Sequence, residues 1–130
     1  MTDFSNALSV AASGMRAQSQ RLTHVSENIA NADTPGYRRK ITSFEVERAM
    51  GAADGTVRTG PVRLDQSILP QIHDPSHPMA NATGHYDGSN VDLVIELADA
   101  REAQRSYEAN LRIFDQIRQM SSSLNELLRR

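Results

Sequence analysis

From Phe4 to about Ala30 the apolar residues Phe4, Leu8, Ala11, Met15, Leu22, Val25 and Ile29 follow one another at alternating steps of four and three, with Gln18 filling the single gap. A stripe sustained this long commits the stretch to a helix with one face reserved for a partner. At ~1.5 Å rise per residue the helix runs ~40 Å. Ala11, Ala12, Ser13 and Gly14 narrow it at one point, which weakens the helix but lets another backbone come close. A helix of this kind needs a counterpart.

The far end of the chain supplies one. Leu93, Leu97, Ala100, Gln104, Tyr107, Leu111 and Phe114 repeat the four-and-three spacing, which then shifts to Ile117, Met120, Leu124 and Leu127 or Leu128. Ser89 or Asn90 offers an N-cap, and Asp92 and Glu96 suit the positive end of the helix dipole. Glu108 with Arg112 and Glu126 with Arg130 add i,i+4 pairs of only ~0.3 kcal/mol each.

Between the helices the chain must bend. Pro35 drives Thr34 out of helical geometry, Gly36 can take the positive φ of a type II turn, and Asn31 and Asp33 favour local bonds over helix. Ile41 to Arg48 and Thr56 to Leu64 read as a β-hairpin around the turn-like Gly51–Gly55. After Gln66 the composition is loop-like, because Pro70, Pro75 and Pro78 preclude long regular elements. The predicted fold is therefore mainly α. Residues 1–37 and 90–130 form a coiled-coil-type terminal domain, and residues 38–89 form an irregular, partly β middle.

Composition removes several function classes. Only 38% of the 130 residues are apolar and there is no Trp, so a large single core is not expected and association with neighbours is the expected source of stability. The charge of −2, from 14 basic and 16 acidic residues, gives no reason to expect nucleic acid. Without cysteine there are no disulfides or thiolate sites. The start Met1–Asn6 lacks the basic and apolar regions of a cleavable signal peptide, and no apolar run approaches the ~20 residues of a membrane helix. No phosphate loop, nucleophile elbow or paired carboxylate site is present, so no enzyme activity and no cofactor are expected.

The motifs at the two ends resemble the flagellar rod, hook and filament-axis family. Ser13-Gly-Met-Arg-Ala-Gln18, Asn28-Ile-Ala-Asn31 and Thr34-Pro-Gly-Tyr37 look like its N-terminal signature. Asn90-Val91-Asp92 and Arg105-Ser-Tyr107-Glu108-Ala-Asn110 are similar to its C-terminal helix. Asp74 to Ala80 and Gly84-His-Tyr86 resemble a segment typical of one of the two short proximal rod subunits in particular. The resemblance implies a non-enzymatic subunit, made in the cytoplasm and exported unfolded by the flagellar type III apparatus without a cleaved signal. It would assemble helically with other rod subunits, ring and rod-adaptor proteins, in a rod spanning the periplasm. It further implies that Phe4 and Leu8 dock at the export gate. Met15, Leu22, Val25, Ile29, Leu97, Tyr107, Leu111, Phe114 and Leu124 would then form the assembly faces. The competing readings are the other short proximal rod subunit and a non-flagellar coiled-coil adaptor or export chaperone.

Other residues favour blander readings. Gln18 and Gln104 interrupt the stripes, either at exposed edges or as polar contacts that fix register. His73 and His77 could share a metal only on a helix, which Pro75 and Pro78 forbid, so these and His85 read as loop histidines and no metal site is expected. Arg38-Arg-Lys40 reads as a solvated or salt-bridged patch.

Overall fold

The computed structural model describes residues 2–49 and 52–130. A long N-terminal helix, α1 (Thr2–Ala30), is followed by six short strands and a longer C-terminal helix, α2 (Leu93–Arg129). The strands are β1 (Lys40–Ile41), β2 (Phe44–Ala49), β3 (Ala52–Thr59), β4 (Arg63–Leu64), β5 (Gln71–His73) and β6 (His85–Asp87). The fold is mainly helical, with a small antiparallel-strand middle.

The helices pack antiparallel: Gly14 meets Asn110, Arg21 reaches Asp99 and Glu102, and Asn28 meets Glu96. The step from Gly14 to Asn28 has the same length as that from Glu96 to Asn110. Phe4 therefore comes level with Met120, and the last turns of α2 outrun α1. The seam is narrow and polar. The buried residues of the two helices are Ala11, Ser13, Ala17, Val25 and Asn28 on α1, and Glu96 and Ala103 on α2, with Ser13 turned to β3. Small residues facing one another bring the backbones together, at the expense of apolar area.

Strands β2 and β3 pair from Phe44 opposite Thr59 to Ala49 opposite Ala52. The hairpin is thus shorter on its outer side than the sequence indicates, since β1 and β4 pair separately, Lys40 with Leu64 and Ile41 with Arg63. Of the expected turn, Gly51 lies outside the described residues, and Ala52 to Gly55 belong to β3. The Asp54-Gly55 signal makes a bulge instead. Gly55 has φ +85°, and Asp54 Oδ1 accepts from Thr56 N–H at 2.9 Å where the register shifts between Val46 and Arg48. The same chemistry that closes a turn can equally bend one strand of a ladder. β3 lies on α1, where Ser13 Oγ donates to Val10 O at 2.7 Å and accepts from Val57 N–H at 3.0 Å.

The stretch after Gln66 is not wholly loop, because β5 and β6 pair antiparallel across the residues that the prolines keep irregular. The N-cap of α2 also differs from expectation. Asp92 holds that position and accepts from Val94 N–H at 3.0 Å. Ser89 and Asn90 are drawn away, Ser89 accepting from Val91 N–H at 3.2 Å and Asn90 bonding the middle segment.

Candidate assembly site

The turn motif is built around Asn28. Its amide is fully buried and uses all four of its hydrogen-bonding positions. Nδ2 donates to Lys40 O at 3.0 Å and to Glu96 Oε2 at 3.2 Å. Oδ1 accepts from Lys40 N–H at 2.8 Å and from the Tyr37 hydroxyl at 2.9 Å. One side chain thereby joins α1, the chain leaving the turn, and α2. Burial pushes the Tyr37 phenol up from its ordinary value.

Glu96 carries the network onward. Its side chain is fully buried, and Arg39 Nε donates to its Oε1 at 2.7 Å. The same guanidinium lies 3.6 Å from Asp99 and 3.9 Å from Asp65. Asn90 completes the clasp: Oδ1 accepts from Arg39 N–H at 2.7 Å, and Nδ2 donates to Asp65 O at 3.0 Å. Arg38 donates to Asp65 O at 3.1 Å and Ser67 O at 2.9 Å. A buried carboxylate of this kind is tolerable because each of its two oxygens finds a donor, Arg39 Nε on one and Asn28 Nδ2 on the other.

The turn itself matches its expected form. Tyr37 N–H donates to Thr34 O at 3.2 Å across Pro35 and Gly36, whose φ is +72°. Asn31 Nδ2 donates to Glu27 O at 2.8 Å and Oδ1 accepts from Thr34 Oγ1 at 3.0 Å. Gly36 N–H donates to Asp87 O at 3.1 Å, which ties the joint to β6. Lys40 Nζ pairs with Glu27, lowering the Glu27 carboxyl and raising the Lys40 ammonium from their usual values.

The two apolar stripes part company. On α1, Val25 is buried, and Phe4, Leu8, Met15, Leu22 and Ile29 are half-buried. On α2, Phe114 is half-buried, whereas Leu97 (53% exposed), Tyr107, Leu111 (41%) and Leu124 face outward. With Leu93 and Val94, also exposed, they leave an open apolar band beside the seam. In the C-terminal motif, Asn110 turns inward to Gly14, while Arg105 and Glu108 are exposed. Gln104 is exposed, but Gln18 is not at an edge: its Oε1 is buried without a partner. Among the described residues no helix is long and apolar enough to cross a membrane, and no three metal-capable side chains gather.

Comparison with known proteins places these features. The family described as flagella basal body rod protein matches residues 8–38, and that described as flagellar basal body rod FlgEFG protein C-terminal matches residues 82–127. The chain is 40% identical to the flagellar basal-body rod protein FlgC of Agrobacterium fabrum, over 99% of this chain and 98% of the relative. The chain belongs to the flagellar basal-body rod protein FlgC family. FlgC proteins of Escherichia coli O157:H7 (36% identity, 88% of this chain and 90% of the relative) and Bacillus subtilis (34%, 85% and 88%) are similar over nearly the same extent. As a member of the FlgC family the chain is a structural subunit of the flagellar basal-body rod and not an enzyme, and it assembles with other rod and basal-body components. Both matched segments hold parts of the clasp, Asn28 and Tyr37 in one and Asn90 and Glu96 in the other.

Sequence reasoning selected Asn28, Tyr37 and Asn90 through motif resemblance. Arg39 entered it only within a solvated or salt-bridged patch, and it is salt-bridged; Glu96 as an enclosed residue and Asp65 escaped it. An acidic residue in a helix's first turn ordinarily reads as a dipole partner, and only the antiparallel pairing shows that Glu96 is enclosed.

Proposed function

We propose that the chain is exported by the flagellar type III apparatus and polymerises helically into the proximal rod, the part of the drive shaft nearest the basal-body ring. Residues 1–37 and 90–130 form the inner domain lining the export channel, and residues 38–89 form the outer part. Its neighbours are proximal and distal rod subunits, ring and rod-adaptor proteins, within the periplasm. It works by packing: it transmits torque and leaves a passage for later subunits, and flagellum-dependent motility follows.

The observation that carries this reading is the outward apolar band on α2, at Leu93, Leu97, Tyr107 and Leu111. A helix pair held by small and polar residues leaves its largest side chains unused, and lateral neighbours would cover them. Phe4 and Leu8, one helical turn apart on α1, serve as the export-gate contact before they pack.

The test is complementation of a strain lacking this chain, with mass spectrometry of its purified basal bodies. Restored swimming and recovery of the chain in the rod fraction are expected. A chain that stays cytoplasmic and absent from basal bodies while swimming is restored would favour the adaptor or chaperone reading.

A further inference from the structure

We propose that His73 and His85 form a two-histidine site for a divalent transition-metal ion of the zinc and nickel class, on the β5–β6 pair. The residues face one another directly across the ladder, with ring centroids 4.7 Å apart and planes inclined by 53°. Metal–nitrogen bonds of ~2.0–2.1 Å, meeting at ~90–110°, place two imidazole centroids ~4.5–5.2 Å apart. The observed spacing falls inside that interval.

The surroundings single out these two rings over His77. His85 Nδ1 lies 3.1 Å from the Thr83 carbonyl. As a donor there it keeps its proton and leaves Nε2 with a free lone pair, the usual way a ligand histidine is fixed from behind. His77 is engaged differently: its Nδ1 accepts from Met79 N–H at 3.1 Å, and its ring stacks on Tyr86 at 3.9 Å. Gly84 makes the room. A Cβ there would lie 3.1 Å from His73 Cε1 and 2.9 Å from Pro75 Cγ.

The prolines that forbid a shared ion between His73 and His77 are thus no obstacle, because the partner is across the ladder. Imidazole nitrogens suit zinc, nickel and copper ions, with water completing the shell. A bound ion would fasten the two ends of the segment 74–84.

The test is isothermal titration of the untagged full-length chain with Zn²⁺ and with Ni²⁺. One ion per chain is expected. His73→Gln and His85→Gln should each weaken binding by about tenfold or more, and His77→Gln should change it less than about twofold. Hydrogen exchange on the unsubstituted chain gives a second readout: Zn²⁺ should slow exchange at the Ile72 and Tyr86 amides. Absence of saturable binding, binding indifferent to His73→Gln and His85→Gln, equal loss in His77→Gln, or unchanged exchange at saturating Zn²⁺ would each overturn the proposal.

Discussion

Gly14 and Asn110 are fitted to one another: a Cβ on the glycine would lie 3.0 Å from both Nδ2 and Oδ1 of the asparagine. Asn110 is not free to retreat, since its Nδ2 donates to Ser106 O at 3.0 Å. Gly→Ala within a helix ordinarily gains ~1 kcal/mol. Here the gain should vanish or reverse, and reappear in an Asn110→Ala background. A double-mutant cycle by urea unfolding should give a coupling of ~1 kcal/mol between the two sites. Equal effects of Gly14→Ala in both backgrounds would show that the contact is not tight.

Asn28→Ala should be the most damaging small substitution at the joint. It strips a partner from Glu96, the Tyr37 hydroxyl and the Lys40 amide at once, all drawn toward a buried point. A loss of ~3 kcal/mol is expected, against ~1 kcal/mol for Asn31→Ala, whose bonds are more exposed. Denaturant midpoints of the two variants make the comparison.

Leu111→Asp and Leu22→Asp should separate folding from assembly. Leu111 is 41% exposed, so the substitution should change the stability of the isolated chain by less than ~0.5 kcal/mol. Cells carrying it should nevertheless be non-motile, with truncated rods. Leu22 is half-buried, and Leu22→Asp should lose stability as well as assembly. Normal swimming with Leu111→Asp would remove the outward band from the assembly surface.

Phe4→Ala combined with Leu8→Ala should leave the chain stable in the cytoplasm and unsecreted. Both residues are half-buried near the open end of the helix pair, where truncation costs little packing. Secretion into the medium of a hook-deficient strain is the measurement. A double variant that is secreted normally but does not assemble would mark the residues as packing groups only.

Acid should loosen the joint. The Glu27 carboxyl is lowered chiefly by its hydrogen bond from Lys40, and Asp65 chiefly by the Ser67 backbone N–H, with Arg39 and Arg38 adding to it. The unfolded chain therefore binds more protons than the folded one in the ordinary carboxylate range, near pH ~4. Stability rises with pH through that window, is complete above it, and is lost as pH falls through the lowered folded values. Denaturant midpoints between pH 6 and 3 should show this slope, and Asp65→Asn should flatten it.

The two helices and the bend between them were legible because each rests on local signals: the spacing of Leu8, Met15 and Leu22, and the Thr34-Pro-Gly36 stop. The clasp was not, because Asn28 and Glu96 are 68 positions apart and nothing local marks either as enclosed. The stripe on α2 shows a subtler limit. Periodicity locates an apolar face but does not say which partner covers it, and Glu96, Ala103 and Asn110, one step around the helix from that face, turn toward α1 instead. At Asp54-Gly55 a turn signal produced a bulge, because both need a residue at positive φ and only long-range pairing chooses between them.

The polar seam bears on how the helix pair responds to a sideways load. A seam of interchangeable leucines offers equivalent seats every heptad, so one helix can ratchet along the other into a new fit at modest expense. Asn28, Glu96 and Arg39 have no second seat. Sliding α2 by a single turn would take the enclosed Glu96 carboxylate away from both the Asn28 amide and the Arg39 guanidinium. The pair behaves less like a greased bearing than like a keyed shaft, weak against being unfolded from its ends yet stiff against slippage along its length.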